Sequence, residues 1–332
     1  MLIAIDVGGT FIKYAQVLED GSFGKKGKVP APVGPDADAG RFADVICSLV
    51  RDLSSEEKPE GITMALPGRI DVDRGIVYGG GGLPYLDKIP LADLLHSRPG
   101  LASLPISMEN DGKCAALAEA WTGNAKDAAD AIVLVFGTGI GGGIIKDGQI
   151  HRGRRLLAGE MSFLLMGMTR EDLKAFPFTG DPPEDTIYYE SYTASARCST
   201  GSLTEKAARL KGMPVGTLSG EDLFVMAKEG DADIKDLLDE MYFQIAQMCL
   251  SLYVAFDPDI ILIGGGISEE PAFFEGIGTY VEKLKEIDPV YRELKLGLCR
   301  YRNDSNLIGA VRHFRLQHGQ QSLKERSSYE NK

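Results

Sequence analysis

Residues Ile132–Ile150, Ile-Val-Leu-Val-Phe-Gly-Thr-Gly-Ile-Gly-Gly-Gly-Ile-Ile-Lys-Asp-Gly-Gln-Ile, decide how this chain is read. Val133 to Phe136 are β-branched, aliphatic or aromatic and predict a strand. Ile144 and Ile145 resume it, and Asp147-Gly148 is a hairpin turn. Between them Gly137, Gly139, Gly141, Gly142 and Gly143 remove the side chains that would hold a ligand off the backbone, so that N–H groups can point at a phosphate. The segment Gly137 to Gly142 also satisfies the dinucleotide fingerprint, but that motif must run from a strand into a helix, and here a second strand follows. For a single match, a glycine-rich hairpin with no ligand is the competing reading.

A second copy shifts the balance. Leu2-Ile-Ala-Ile-Asp-Val-Gly-Gly-Thr-Phe-Ile-Lys-Tyr-Ala-Gln-Val-Leu-Glu-Asp-Gly21 repeats the plan: Asp6 near the end of a buried-type strand, Gly8-Gly9-Thr10 as the loop, Phe11 to Val17 extended again, and Asp20-Gly21 as the turn. Two cradles imply two related halves serving one nucleotide. This is a weak duplication rather than an array, since no period of about 20–50 residues recurs.

Working outward, 332 residues allow a large core and two domains. A net charge of −12 argues against a nucleic-acid or membrane surface as partner, because either rewards clustered Lys and Arg. Cys47, Cys114, Cys198, Cys249 and Cys299 are scattered and odd in number, as expected of reduced thiols in a cytoplasmic protein. The chain opens on a strand rather than a signal peptide, and no apolar run has the length of a membrane span. Ala43 to Leu53 has helical spacing, Gly61 to Leu66 reads as a strand ending in the Pro67-Gly68 turn, and Gly79 to Gly82 can be a flexible loop and nothing more. Ile106 to Met108 predicts a strand and the run after Gly112 a helix, so Asn110 and Asp111 stand at a strand-to-helix junction. Either could simply be the N-cap; a carboxylate there beside an amide also suits a general base. Ser202 to Gly212 predicts a capped helix, and Ile234 to Phe256 a long buried one whose Met and aromatic stripe is core or subunit interface. His96, His313 and His318 read as surface residues, His151 gets no chemistry, and the chain after about Gln317 reads as frayed.

The ordered set Asp6-Val-Gly-Gly-Thr10 with Lys13, Pro67-Gly68, Glu109-Asn110-Asp111, Gly137 to Gly143, Asp147-Gly148, Ala158-Gly-Glu160 and Ile263-Gly-Gly-Gly-Ile267 resembles the ROK family (repressor, open reading frame, kinase), and within it the sugar kinases. The resemblance runs from residue 2 to about 314. It implies the two-lobed α/β actin-like ATPase (ribonuclease H-like) fold of the hexokinase/actin/Hsp70 superfamily. Residues 1–118 with a returning 305–332 would form the smaller lobe and 119–304 the larger, with a cleft between them that closes to exclude water and hinges near 115–125 and 300–310.

The resemblance also implies roles. Asp6, through water, and Gly8, Gly9, Thr10 and Lys13 would serve Mg²⁺ and the ATP phosphates; Gly137, Thr138, Gly139 and Gly141 would hold phosphates from the other lobe; Gly264, Gly265 and Gly266 would pass under the adenosine. Asp111 would take the proton of the sugar's 6-hydroxyl, while Gly68, Gly82, Asn110, Glu160, Phe163 and Glu190 would line the sugar site. Phosphoryl transfer is mainly positioning and charge neutralisation, and Mg²⁺ favours one or two carboxylates plus phosphate oxygens, so the residue types suit the chemistry.

Two departures matter. Where many members carry a zinc-ligating, sugar-touching His, this chain has Phe163, and Asp185 to Glu190 holds none of the usual cysteines. The expectation is therefore no structural zinc, with packing around Phe176, Phe178, Tyr188 and Tyr189 instead. The family's Asn before Leu-Pro is Gly82, which together with Phe163 makes room for an aglycone and resembles the β-glucoside kinase branch. Glucose and N-acetylmannosamine are the alternative sugars, and a homodimer is the assembly the family implies. Among other classes, a repressor would need a DNA-binding helix-turn-helix for which there is no room, and a silent sugar sensor is at odds with intact Asp111 and both glycine loops.

Overall fold

The structure is a computed structural model and describes residues 1–18, 21–54, 57–175 and 192–330. In chain order the strands are β1 (Leu2–Val7), β2 (Phe11–Val17), β3 (Phe23–Pro30), β4 (Gly61–Leu66), β5 (Arg69–Asp71), β6 (Ile76–Tyr78), β7 (Ile89–Pro90), β8 (Ile106–Asn110), β9 (Ala131–Phe136), β10 (Ile140–Lys146), β11 (Gln149–Ile150), β12 (Ile260–Gly264) and β13 (Leu296–Leu298). The helices are α1 (Ala39–Leu53), α2 (Leu91–His96), α3 (Asp111–Thr122), α4 (Arg170–Ala175), α5 (Ala194–Cys198), α6 (Thr200–Leu210), α7 (Gly220–Lys228), α8 (Ala232–Phe256), α9 (Pro271–Leu284) and α10 (Ser305–Glu330).

These elements form two compact units. The first is Met1–Lys126, Gln149–Ala158 and Asp304–Lys332; the second is Asp127–Gly148 and Gly159–Asn303. The first crossing thus falls after α3 has ended rather than at 118/119. A short excursion, Gln149–Ala158, that the sequence did not announce returns to the first unit in mid-chain.

In the first unit a sheet of order β3-β2-β1-β4-β8 has β1, β4 and β8 parallel and β2 and β3 antiparallel. Every residue of β1 and β4 is buried, as continuous apolar runs covered on both faces demand. One face packs on α1 through Phe42, Ile46 and Val50, and the other on α10 through Leu307, Val311 and Phe314. The approach of α10 to α3 is so close that a Cβ on Gly309 would lie 1.7 Å from the Cys114 carbonyl oxygen. The second unit repeats the theme: β9 and β12 are parallel, β10 pairs antiparallel with β9, and β13 extends β12. Phe136 and Tyr242 both meet Phe273 edge to face in its core.

Three expectations change. His313 is buried on α10, not a surface residue, because it follows by one turn Ala310, which packs on Ala65 and Cys114. The backbone continues helical through Glu330 rather than ending near Gln317. Ser199, not Ser202, caps α6, its hydroxyl accepting the Ser202 N–H.

Candidate active site

The candidate residues of the first unit gather where β1, β4 and β8 end, the edge at which ligands of open parallel sheets bind. Register puts Asp6, Ala65 and Glu109 in one row. Asp6 is directly opposite Lys13 on β2, whose Nζ is 3.5 Å from Oδ2. The other oxygen of Asp6 accepts from Asn306 Nδ2 at 3.0 Å, so the first residues of α10 help to hold it. The Gly8-Gly9-Thr10 loop is closed by Gly8 N–H donating to the Phe11 carbonyl. A Cβ on Gly82 would stand 3.3 Å from Gly9 Cα, so the four-glycine segment packs backbone to backbone against this cradle.

At the next strand end Asn110 is the N-cap of α3, its Oδ1 accepting the Lys113 N–H at 3.0 Å, and Asp111 is the first helical residue. The cap does more than cap. Asn110 Nδ2 donates to the Gly68 carbonyl and to Asp111 Oδ1, both at 2.9 Å, and Asp111 Oδ1 also accepts the Gly112 N–H at 2.8 Å. Two donors on one oxygen fix the carboxylate's orientation at the positive end of a helix. Gly68 has φ +90°, and a Cβ there would press on the Tyr78 carbonyl, so the turn that presents its carbonyl to Asn110 requires glycine.

Behind this edge lie groups to which the sequence assigned no role. Glu109 is buried and paired with Arg152 from the excursion. Burial lowers the pKa of His313, against the opposing pull of Glu109. The Cys114 thiol is pushed well above its ordinary value, first by burial and then by the nearby carboxylates Glu109, Asp111 and Asp6. No spacing rule flags Arg152 or Asn306, because their partners are far away in sequence.

In the second unit Gly137 and Gly139 close the β9–β10 turn, Gly137 N–H donating to the Gly139 carbonyl at 2.9 Å. A Cβ on Gly137 would meet nothing within 4 Å. Gly141 lies in β10 opposite Val135, and a Cβ on Gly142 would strike the Val133 carbonyl and Met161. The later glycines of the run therefore also serve close packing against Gly159 to Met161. Ser162 Oγ bridges the Ile140 N–H and carbonyl. Beside the turn opens a cavity of about 810 Å³, large enough for a nucleoside and lined by Thr138, Thr200, Gly201, Phe224, Gly266 and Ile267 among others. Gly265, at φ +96°, could not carry a Cβ, which would fall 2.0 Å from the Phe136 carbonyl oxygen.

Of the remaining predicted residues, Glu160 precedes a short 3₁₀ turn, Met161–Phe163, and Phe163 is 68 % exposed. Glu190, Phe176, Phe178, Tyr188 and Tyr189 lie outside the described residues.

The ROK family profile matches residues 2–315, and the chain belongs to that family. A β-glucoside kinase of Klebsiella pneumoniae is 31% identical over 94% of this chain and 95% of its own. A β-glucoside kinase of Listeria monocytogenes is 30% identical over 94% and 97%. Among solved structures, a ROK family protein from Streptococcus pneumoniae in complex with sucrose superposes with a TM-score of 0.78 at 26% identity, covering 96% of this chain and 99% of that one. The fold is that of the ROK sugar kinases, the actin-like ATPase architecture.

Proposed function

We propose that this chain, an ATP-dependent sugar kinase by its family and relatives, phosphorylates the 6-hydroxyl of a β-glucoside with Asp111 as general base. The observation that carries the reading is the Asp111 carboxylate, oriented by Asn110 and Gly112 at the end of the sheet edge that also holds Asp6. A primary hydroxyl attacks well only when its proton has an acceptor within hydrogen-bond reach. Asn110 keeps that acceptor in one orientation, and the cavity beside Gly137 receives the adenosine while the turn's N–H groups meet phosphate.

Asp6 suits Mg²⁺ held through water. It is a single, nearly buried carboxylate with Asn306 and Lys13 around it rather than part of a cage of ligands, and among the described residues no group of three or more His, Cys, Asp or Glu is placed to hold a metal ion. When bound, Mg²⁺ supplies charge neutralisation on the phosphates. Lys13 adds a second positive charge there.

The β-glucoside is favoured over glucose and N-acetylmannosamine by Gly82, which leaves the cradle's neighbour without a side chain, and by the exposed aromatic face of Phe163. A coupled assay with ATP across β-glucosides, glucose and N-acetylmannosamine tests this. Highest kcat/KM on a β-glucoside is expected, preference for a free sugar would overturn the substrate, and sugar binding without any turnover would make the chain a sensor. Asp111→Asn is expected to lower kcat by roughly 10²–10⁴ with ATP binding intact; retained activity would refute the base. A homodimer in the cytoplasm is the expected setting, and light scattering reads the first part. No helix among the described residues is long and apolar enough to cross a membrane.

A further inference from the structure

Glu109 carries a charge in the end of β8, its side chain 1% exposed, that no step of sugar phosphorylation uses. Two side-chain nitrogens of Arg152 converge on one of its oxygens, Nε at 2.8 Å and Nη2 at 2.6 Å. The other oxygen accepts the backbone N–H of Asn110 at 2.8 Å. Asn110 in turn donates to Asp111 Oδ1. The chain of contacts therefore runs without a break from the guanidinium to the carboxylate assigned as base.

Arg152 is itself held. Its carbonyl accepts the Ala158 N–H at 3.2 Å, closing a loop in which Gly153 and Leu156 both take positive φ, +68° and +62°. A non-glycine residue in that region is strained and persists only where its surroundings fix it. Buried carboxylates are costly unless paired, and a fork of two N–H donors fixes direction as well as charge.

We propose that Arg152 is a positioning residue for the general base, acting through the buried Glu109 carboxylate to fix the peptide that carries Asn110 and Asp111. The inference rests on Asp111 being the base. A pair that merely held β8 to the excursion would affect stability and leave turnover by folded protein alone.

The test compares Arg152→Ala, Arg152→Lys, Glu109→Gln and the neutral pair Arg152→Met with Glu109→Gln, by sugar and ATP kinetics and thermal melting. Arg152→Ala is expected to lose about 100-fold in kcat with both KM values within about twofold, since misplacement of a reacting group is felt in the chemical step. Guanidinium added to that variant should restore part of kcat, and Lys should restore little because a point charge cannot reproduce the fork. In an Asp111→Asn background the Arg152 change should cost nothing further. If Arg152→Ala does not fold, the neutral pair decides: normal melting with low kcat supports the role. Wild-type kcat in any folded Arg152 variant, or lower melting with unchanged kcat, overturns it. A wild type that turns over no sugar would sink the kinase reading and this inference together, whereas an active wild type with unaffected variants sinks this one alone.

Discussion

Asp6 shows what a single residue owes to distant partners. Its place at the end of a buried strand is written in the sequence, but the Asn306 amide that holds it comes 300 residues later. Removing one donor to a buried carboxylate leaves that oxygen unpaired. Asn306→Ala is therefore expected to raise the Mg²⁺ concentration needed for half-maximal rate, and an unchanged Mg²⁺ titration would show that Asn306 does no such work. Gly265 is the reverse case, a position legible only in part. The family resemblance implies that the run Gly264 to Gly266 passes under the adenosine, yet the structure gives glycine at its centre a reason of its own, a φ of +96° and the Phe136 backbone. Gly265→Ala should lose nucleotide binding and stability together, whereas Gly266→Ala, whose Cβ would meet no protein atom within 4 Å but would enter the cavity, should keep its stability and weaken only the binding of a fluorescent ATP analogue. Asp111 and Asn110 were legible as a junction because a strand run met a helix run there. The further duty of Asn110, tying Gly68 to Asp111, was not, since a cap and a tie use the same side chain.

Among elements, α10 is the most consequential. It covers one face of the first sheet, seats Asn306 against Asp6 and buries His313. Its contact with α3 passes through Gly309, where backbone meets backbone and neither can yield. Gly309→Ala should cost at least about 3 kcal/mol, the upper end for overpacking, read by urea unfolding; wild-type stability would mean that the helices do not pack this way. Strands and helices with strong periodicity were read correctly from residues alone, β1, β9 and α8 among them. What periodicity misjudged was α10, whose polar residues beyond Gln317 carry no apolar stripe and so looked like the end of the helix.

For the whole molecule, the buried His313 sets a pH dependence. Burial holds its pKa below the ordinary 6.5, so the folded chain keeps it neutral while the unfolded chain protonates first as pH falls. Its contribution is thus full above about pH 6.5 and is lost as pH drops toward the depressed folded value. His313→Gln should flatten the fall in stability below about pH 6.5, and an unchanged slope would assign it to other groups. Metal content is a second global test: the sequence implies no structural zinc, and elemental analysis of metal-replete protein finding one equivalent would contradict it. Fold class was legible because two strand-loop-strand cradles recur, and family motifs then ordered everything between them. The excursion Gln149–Ala158 was not, since nothing in a ten-residue stretch of mixed polar and apolar residues states which unit it joins.

That the first unit is closed by residues on both sides of the second also bears on how the protein is made. During translation β1 emerges about 300 residues ahead of α10, and the face the two share cannot be covered until residues after Asp304 have been synthesised. At about 5–20 residues per second the delay is roughly 15–60 s. The second unit, whose residues are all made before Asp304, can mature in that interval, while the nascent first sheet exposes an apolar surface of the kind that chaperones bind.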